Sequence, residues 1–164
     1  MIQTMKTREQ VIEAMHALSQ FIGNIQLKCL KELITFGEER GYFRDKLCEL
    51  AEIVRTMAKT YEQDGKGKDA VVYLHYFTPN ADAWITEKKP TDGAQDQAFG
   101  YASLNGWRPE MGYISIAEWL ENGAELDLHF TPKPVREVAA LNDNAEMCVS
   151  AVNTVDNVGD GDDY

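Results

Sequence analysis

The apolar residues of this chain change their period once, across Asp64-Gly-Lys-Gly-Lys-Asp69, and that change fixes the class of fold open to it. Before the break they recur every three or four residues, as along one face of a helix; after it they alternate, as along a strand. Two glycines and four charges in six residues make the break itself a linker.

On the helical side, Thr7-Arg-Glu-Gln10 has the form of a capping box, with a Thr side chain for an orphan amide and a Gln three residues on. Val11, Ile12, Met15, Leu18, Phe21 and Ile22 then form one apolar stripe. Gly23-Asn24 breaks or kinks it, and Leu27, Leu30, Leu33, Ile34 and Phe36 carry the period on to Gly37. A third helix is expected from about Phe43 to Tyr61, with Leu47, Leu50, Ala51, Val54, Met57, Ala58 and Tyr61 turned inward. The stripes from Val11 to Phe36 are long enough either to dock on a sheet or to form a homodimer interface.

On the strand side, Val71–Phe77 is rich in β-branched and aromatic residues and stops at Thr78-Pro79. Trp84–Glu87, Ala98–Leu104 and Gly112–Ile116 read as further strands, and Glu125–Phe130 alternates as a half-buried strand does. Ser115-Ile-Ala-Glu118 is a second capping box, opening a short helix that stops at Asn122-Gly123. Val135–Leu141 reads as a short closing helix. His75-Tyr-Phe-Thr-Pro79 and His129-Phe-Thr-Pro132 share a strand-ending Phe-Thr-Pro, which suggests neighbouring strands. The expected fold is α+β: a helical segment (residues 1–64) packed beside a mostly antiparallel sheet of about four or five strands (70–141), with an acidic flexible tail (142–164).

Charge is distributed as unevenly as period. Residues 1–69 carry 11 acids and 11 bases, residues 70–140 carry 10 and 5, and residues 141–164 carry 6 acids and no base, giving the net charge of −11. This balance disfavours bare nucleic acid and anionic lipid, which need Lys and Arg. Lys66, Lys68, Lys88, Lys89 and Arg108 are the candidates for a local basic patch. No apolar run is long enough to span a membrane, and no signal-peptide core is present near the N-terminus. Cys29, Cys48 and Cys148 are odd in number and widely spaced. Unpaired thiols fit a reducing compartment, so the expected location is the cytoplasm.

Residues 73–137 resemble a bacterial and mobile-element family, the domain of unknown function numbered 2958. The likeness rests on Tyr76-Phe-Thr-Pro79, Trp84-Ile-Thr-Glu87, Ala98-Phe-Gly100, Pro109-Glu-Met-Gly-Tyr113 with Ile114-Ser-Ile116, and Leu126-Asp-Leu-His-Phe130 with Pro132, in that order. It implies a small α+β domain carried on phages or plasmids and brings no catalytic residue.

Candidate chemistry is sparse. His75 and His129 lie on strands ending in Thr-Pro; if the strands pair, the rings could meet near Glu87 or Asp127 and hold a metal or do acid–base work. The bland alternative is a cross-strand aromatic–imidazole pair. His16 reads as a helix-boundary residue. Cys29 and Cys48 read as small hydrophobes. Gly65-Lys-Gly67 lacks the spacing and the Lys-Ser/Thr ending of a phosphate loop. Trp107 and Arg108, in a loop between Gly106 and Pro109, are the residue types that dominate binding hot spots; a Trp folded over the core is the other reading. Asp160, Asp162, Asp163 and Tyr164 close the tail. The tail reads as a solubilising segment, as a mimic of phosphate charge in a basic groove, or as a tip like those of phage and bacterial single-strand DNA-binding proteins.

These features point to a non-enzymatic interaction protein of a phage or plasmid. It would bind a host or defence protein with a basic surface through Trp107, Arg108, Asp160, Asp162, Asp163 and Tyr164, without cofactor or metal. A single-stranded nucleic-acid-binding accessory protein with a regulatory tail is the alternative from a second class. A small metal-dependent enzyme around His75 and His129 is the alternative from a third.

Overall fold

Helices form where the apolar stripe demanded them. A computed structural model of the chain describes residues 4–142. Helix α1 (Arg8–Leu18) begins at the expected box: the Thr7 side chain accepts from the Gln10 amide, and the Gln10 side chain accepts from the Thr7 amide. Helix α2 (Asn24–Phe36) starts at Gly23, and α3 (Arg40–Thr56) follows after a short turn. Helix α3 starts and stops earlier than its stripe suggests. Lys88 ends it from outside, donating its ammonium to the Val54 carbonyl while its backbone exchanges hydrogen bonds with Ala58 and Thr60. The segment after α3 is thereby drawn along a strand, and Tyr61, expected inward, stands in solvent at φ +73°.

The expected strand Val71–Phe77 is divided. β1 (Val71–Val72) pairs with β7 (Lys133–Pro134), whereas β2 (Leu74–Thr78) enters a five-stranded antiparallel sheet with β3 (Ala81–Glu87), β4 (Ala98–Leu104), β5 (Glu110–Ile114) and β6 (Glu125–Leu126). Its order is β5-β4-β3-β2-β6. β5 begins earlier than expected and gives up Ser115, whose hydroxyl accepts the Glu118 amide and caps α4 (Ile116–Glu121). β6 is shorter than its alternating pattern. The Asp127 carboxylate accepts the His129 amide and its carbonyl the Phe130 amide, so the chain turns away after Leu126. β2 and β6 are neighbours, as their shared ending suggests, although Phe130-Thr-Pro132 lies past the paired residues. At the end, Val135–Glu137 is a 3-10 turn and residues 139–142 are helical. The fold is α+β.

One core joins the helices to the sheet. Val11, Leu18, Ile22, Leu30, Leu47, Leu50 and Val54 pack with Leu74, Tyr76, Ala83, Ile85, Ala98 and Ile114. The helical stripes are thus used in docking on the sheet. Ile12 and Phe36, expected within them, are exposed. Buried Tyr76 donates its hydroxyl to the Phe21 carbonyl at 2.6 Å, and burial pushes its ionisation well above the usual range. A smaller cluster of Ala70, Val72, Trp84, Val135 and Val138 covers part of the other face.

Candidate functional site

The outer face of the sheet, away from the helices, carries aromatic residues and carboxylates. Strand alternation puts Phe99 and Tyr101 of β4, and Met111 and Tyr113 of β5, on this face, while Ala98, Gly100 and Ala102 turn toward the helices. Phe99 and Tyr113 meet edge to face at 5.5 Å.

Glu87 reaches the same face through an irregularity. Ile85 pairs with Gly100 but Glu87 pairs with Phe99, so Thr86 is the extra residue of a β-bulge. By regular alternation Glu87 would share the inward side of Ile85; the bulge turns it outward instead. Gly100 permits it, since a Cβ there would stand 2.0 Å from the Trp84 carbonyl oxygen. Gln63 holds the bulge from across the linker, donating to the carbonyls of Thr86 and Val71 at 2.7 and 2.9 Å and accepting the Val71 amide at 2.7 Å.

Around Glu87 lies a cavity of about 440 Å³, lined by Thr60, Tyr61, Gln63 and Asp64 on one side and by Thr86, Phe99, Tyr101 and Met111 on the other. Glu87 is 6 % exposed and accepts the backbone N–H of Tyr61. Tyr61 makes that bond from a positive φ, a conformation that a bulky residue rarely adopts. Strain of this kind persists only where the surroundings enforce it. The Tyr61 hydroxyl meets that of Tyr113 at 2.8 Å on the exposed surface. Burial holds the Glu87 carboxyl above the ordinary glutamate range; the Tyr61 N–H opposes this, and the nearby Asp64 and Glu62 charges add to it. The lining contains two carboxylates and no cationic side chain. Its chemistry therefore suits a positively charged group, which the rings can face and the carboxylates can neutralise.

A second cluster lies farther along the same face. His75 bonds Asp82 through Nε2 at 2.8 Å and Asp127 through Nδ1 at 3.1 Å, and its ring stacks on Trp84 at 5.3 Å. His129 does not join it; its Nδ1 lies 3.2 Å from the Tyr42 hydroxyl. Asp127 is therefore beside His75 as expected, whereas Glu87 belongs to the cavity. Among the described residues no group of three or more His, Cys, Asp or Glu side chains could hold a metal ion.

Trp107 is not folded over the core: it is 76 % exposed. With Arg108, Glu110 and Tyr113 it borders a shallow depression of about 380 Å³ along β5. The positive φ of Asn105 and Gly106 sets up the turn that carries them. Of the residues expected to form a basic patch, Lys88 is engaged with the end of α3 and Lys89 pairs with Asp96 at 2.7 Å. Cys29 is exposed rather than packed, while burial raises the Cys48 thiol above its ordinary range. Asp160, Asp162, Asp163, Tyr164 and Cys148 lie outside the described residues.

The sequence does not mark Tyr61, Phe99, Tyr101, Met111 or Tyr113 as site residues; Tyr61 is expected inside the third helix, and the only trace of the outer face is the large residues at every second position of β4 and β5. Glu87 leaves no such trace, because its outward placement depends on the bulge. No helix of the described residues is long and apolar enough to cross a membrane. No family model matches the chain, and no curated protein or solved structure matches it, so the likeness of residues 73–137 to the family named above rests on its ordered short motifs alone.

Proposed function

We propose that this chain is a non-catalytic interaction protein that binds a basic surface of another protein. A lysine or arginine side chain of that partner enters the cavity at Glu87. The observation that carries this reading is the lining itself: aromatic and thioether walls, two carboxylates, and no cation. The net charge of −11 would steer a basic partner toward it. The resemblance to a mobile-element family supports a host or defence protein as the partner. The acidic residues 160–164 would add long-range attraction.

The test is calorimetric titration of the full chain with synthetic ten-residue peptides rich in Lys and Arg, beside an acidic peptide of equal length. Binding of the basic peptides alone, lost in Glu87→Gln and weakened by salt, is the expected result. Equal binding by the Glu87→Gln protein would remove the cavity from the reading, and no binding by any basic peptide would overturn it.

A single-stranded nucleic acid is the second reading, favoured by the aromatic outer face, on which bases could stack. Its weakness is electrostatic, since phosphates would approach carboxylates. Binding of an oligonucleotide at low salt by protein truncated after Asn142 would favour it over the first.

A further inference from the structure

The two edges of the five-stranded sheet are finished differently. At β6 the Gln26 side chain acts as a neighbouring strand would: it accepts the Leu126 amide at 2.9 Å and donates to the Leu126 carbonyl at 2.8 Å. That edge is closed by helix α2. At β5 no strand lies beyond Glu110–Ile114 among the described residues. Natural sheets blunt such an edge with lysines, prolines, bulges or a covering element. Here Pro109 precedes the strand, and its pairing with β4 runs from Ala98↔Ile114 to Ala102↔Glu110 without a bulge. Its outer side chains are Met111, 63 % exposed, and Tyr113, 59 % exposed. The depression edged by Trp107 and Arg108 runs along this strand.

We infer that β5 is a docking edge on which an extended basic segment of the partner adds as a sixth strand. This rests on the reading of the cavity as a cation site and names how the partner is held. Backbone hydrogen bonds to β5 supply sequence-independent affinity, and alternate side chains supply selectivity. Those on the outer face lie beside Met111 and Tyr113, and Met111 is itself a wall of the cavity. The occupant is basic because the adjoining cavity offers carboxylates and no cation. A second copy of this chain would bring the same acidic surface against itself.

The test is amide hydrogen exchange of the full chain with and without the basic peptides. Alternate amides of residues 110–114 should slow by about tenfold or more on binding, because only alternate N–H groups point away from β4. Peptides N-methylated at every second residue should lose binding in one register and keep it in the other. Binding that Glu87→Gln abolishes, without protection at residues 110–114, would overturn strand addition and leave the cavity reading standing. Loss of all peptide binding would remove both. Protection at residues 110–114 that grows with protein concentration in the absence of peptide, together with a dimer in sedimentation, would assign the edge to a second copy and overturn the proposal.

Discussion

The two faces of the central sheet are built from the same strands and differ in nearly everything else. The inner face is aliphatic and small: Leu74, Ala83, Ile85, Ala98 and Ile114 interlock with the helices, and Tyr76 sends its one polar atom to the Phe21 carbonyl. The outer face is aromatic and ionisable: His75, Asp82, Trp84, Glu87, Phe99, Tyr101, Met111 and Tyr113. Only part of it is covered, by the segment after α3 and by the small cluster around Val135. The inner face holds the fold together. The outer face carries features that folding alone does not favour: a buried carboxylate among like charges and a tyrosine at positive φ.

That contrast can be broken from either side. The largest effect belongs to the inner face. Ile85→Ala, at a fully buried position, should cost about 2–5 kcal/mol by denaturant unfolding. Gly100→Ala acts at the seam between the faces, because the added Cβ meets rigid backbone at Trp84. Overpacking of this kind should cost about 1–3 kcal/mol and disturb the Thr86 bulge, so cavity binding should fall even where the protein stays folded.

Glu87→Gln should separate the faces most clearly. Glutamine still accepts the Tyr61 N–H but carries no charge to desolvate. The folded state raises the Glu87 pKa, so it binds a proton more tightly than the unfolded chain. Wild-type stability therefore declines as pH rises from the ordinary glutamate range through the raised folded value, and stays lower above it. The variant lacks this decline, so its melting temperature should exceed that of the wild type by a margin that grows across the same window. Melting curves at a series of pH values, run beside peptide titrations, would show stability rising as cation binding is lost. A variant both less stable and binding-competent would reverse the assignment of the outer face.

His75→Phe is expected to be milder. The ring can still stack on Trp84, but Asp82 and Asp127 lose the imidazole they share, which should cost about 1 kcal/mol in chemical unfolding. The smallest effect is expected for Tyr113→Phe. It removes only an exposed contact with the Tyr61 hydroxyl, and the denaturation midpoint should be unchanged within error.

The inner face was largely legible in the sequence and the outer face was not. The helix start at Thr7 and the strand Ala98–Leu104 rest on local chemistry, a capping box and an alternating run, and both stand as read. Helix α3 was misjudged at its end because Lys88, some thirty residues on, takes over its last carbonyls. The strand toward Phe130 was overextended because alternation does not register the turn made by Asp127. The cavity required Gln63, the Thr86 bulge and Gly100 together, three residues remote in sequence, none of which signals the arrangement alone. His75 and His129 share a sequence context but not a site, because β6 ends before the second histidine.

The exposed linker between the helices and the sheet has a consequence for how the chain behaves when cut. Residues 64–69 lie on the surface, and Gly65 and Gly67 both take positive φ there, so a protease can engage this stretch without first opening the core. Yet the core crosses it, and Gln26 and Leu126, one hundred residues apart, are bonded to each other. A single nick at Lys66 should yield two fragments that co-elute as one particle and separate only in denaturant. Mixed after separate expression, they should reconstitute it, each half supplying the surface that the other lacks.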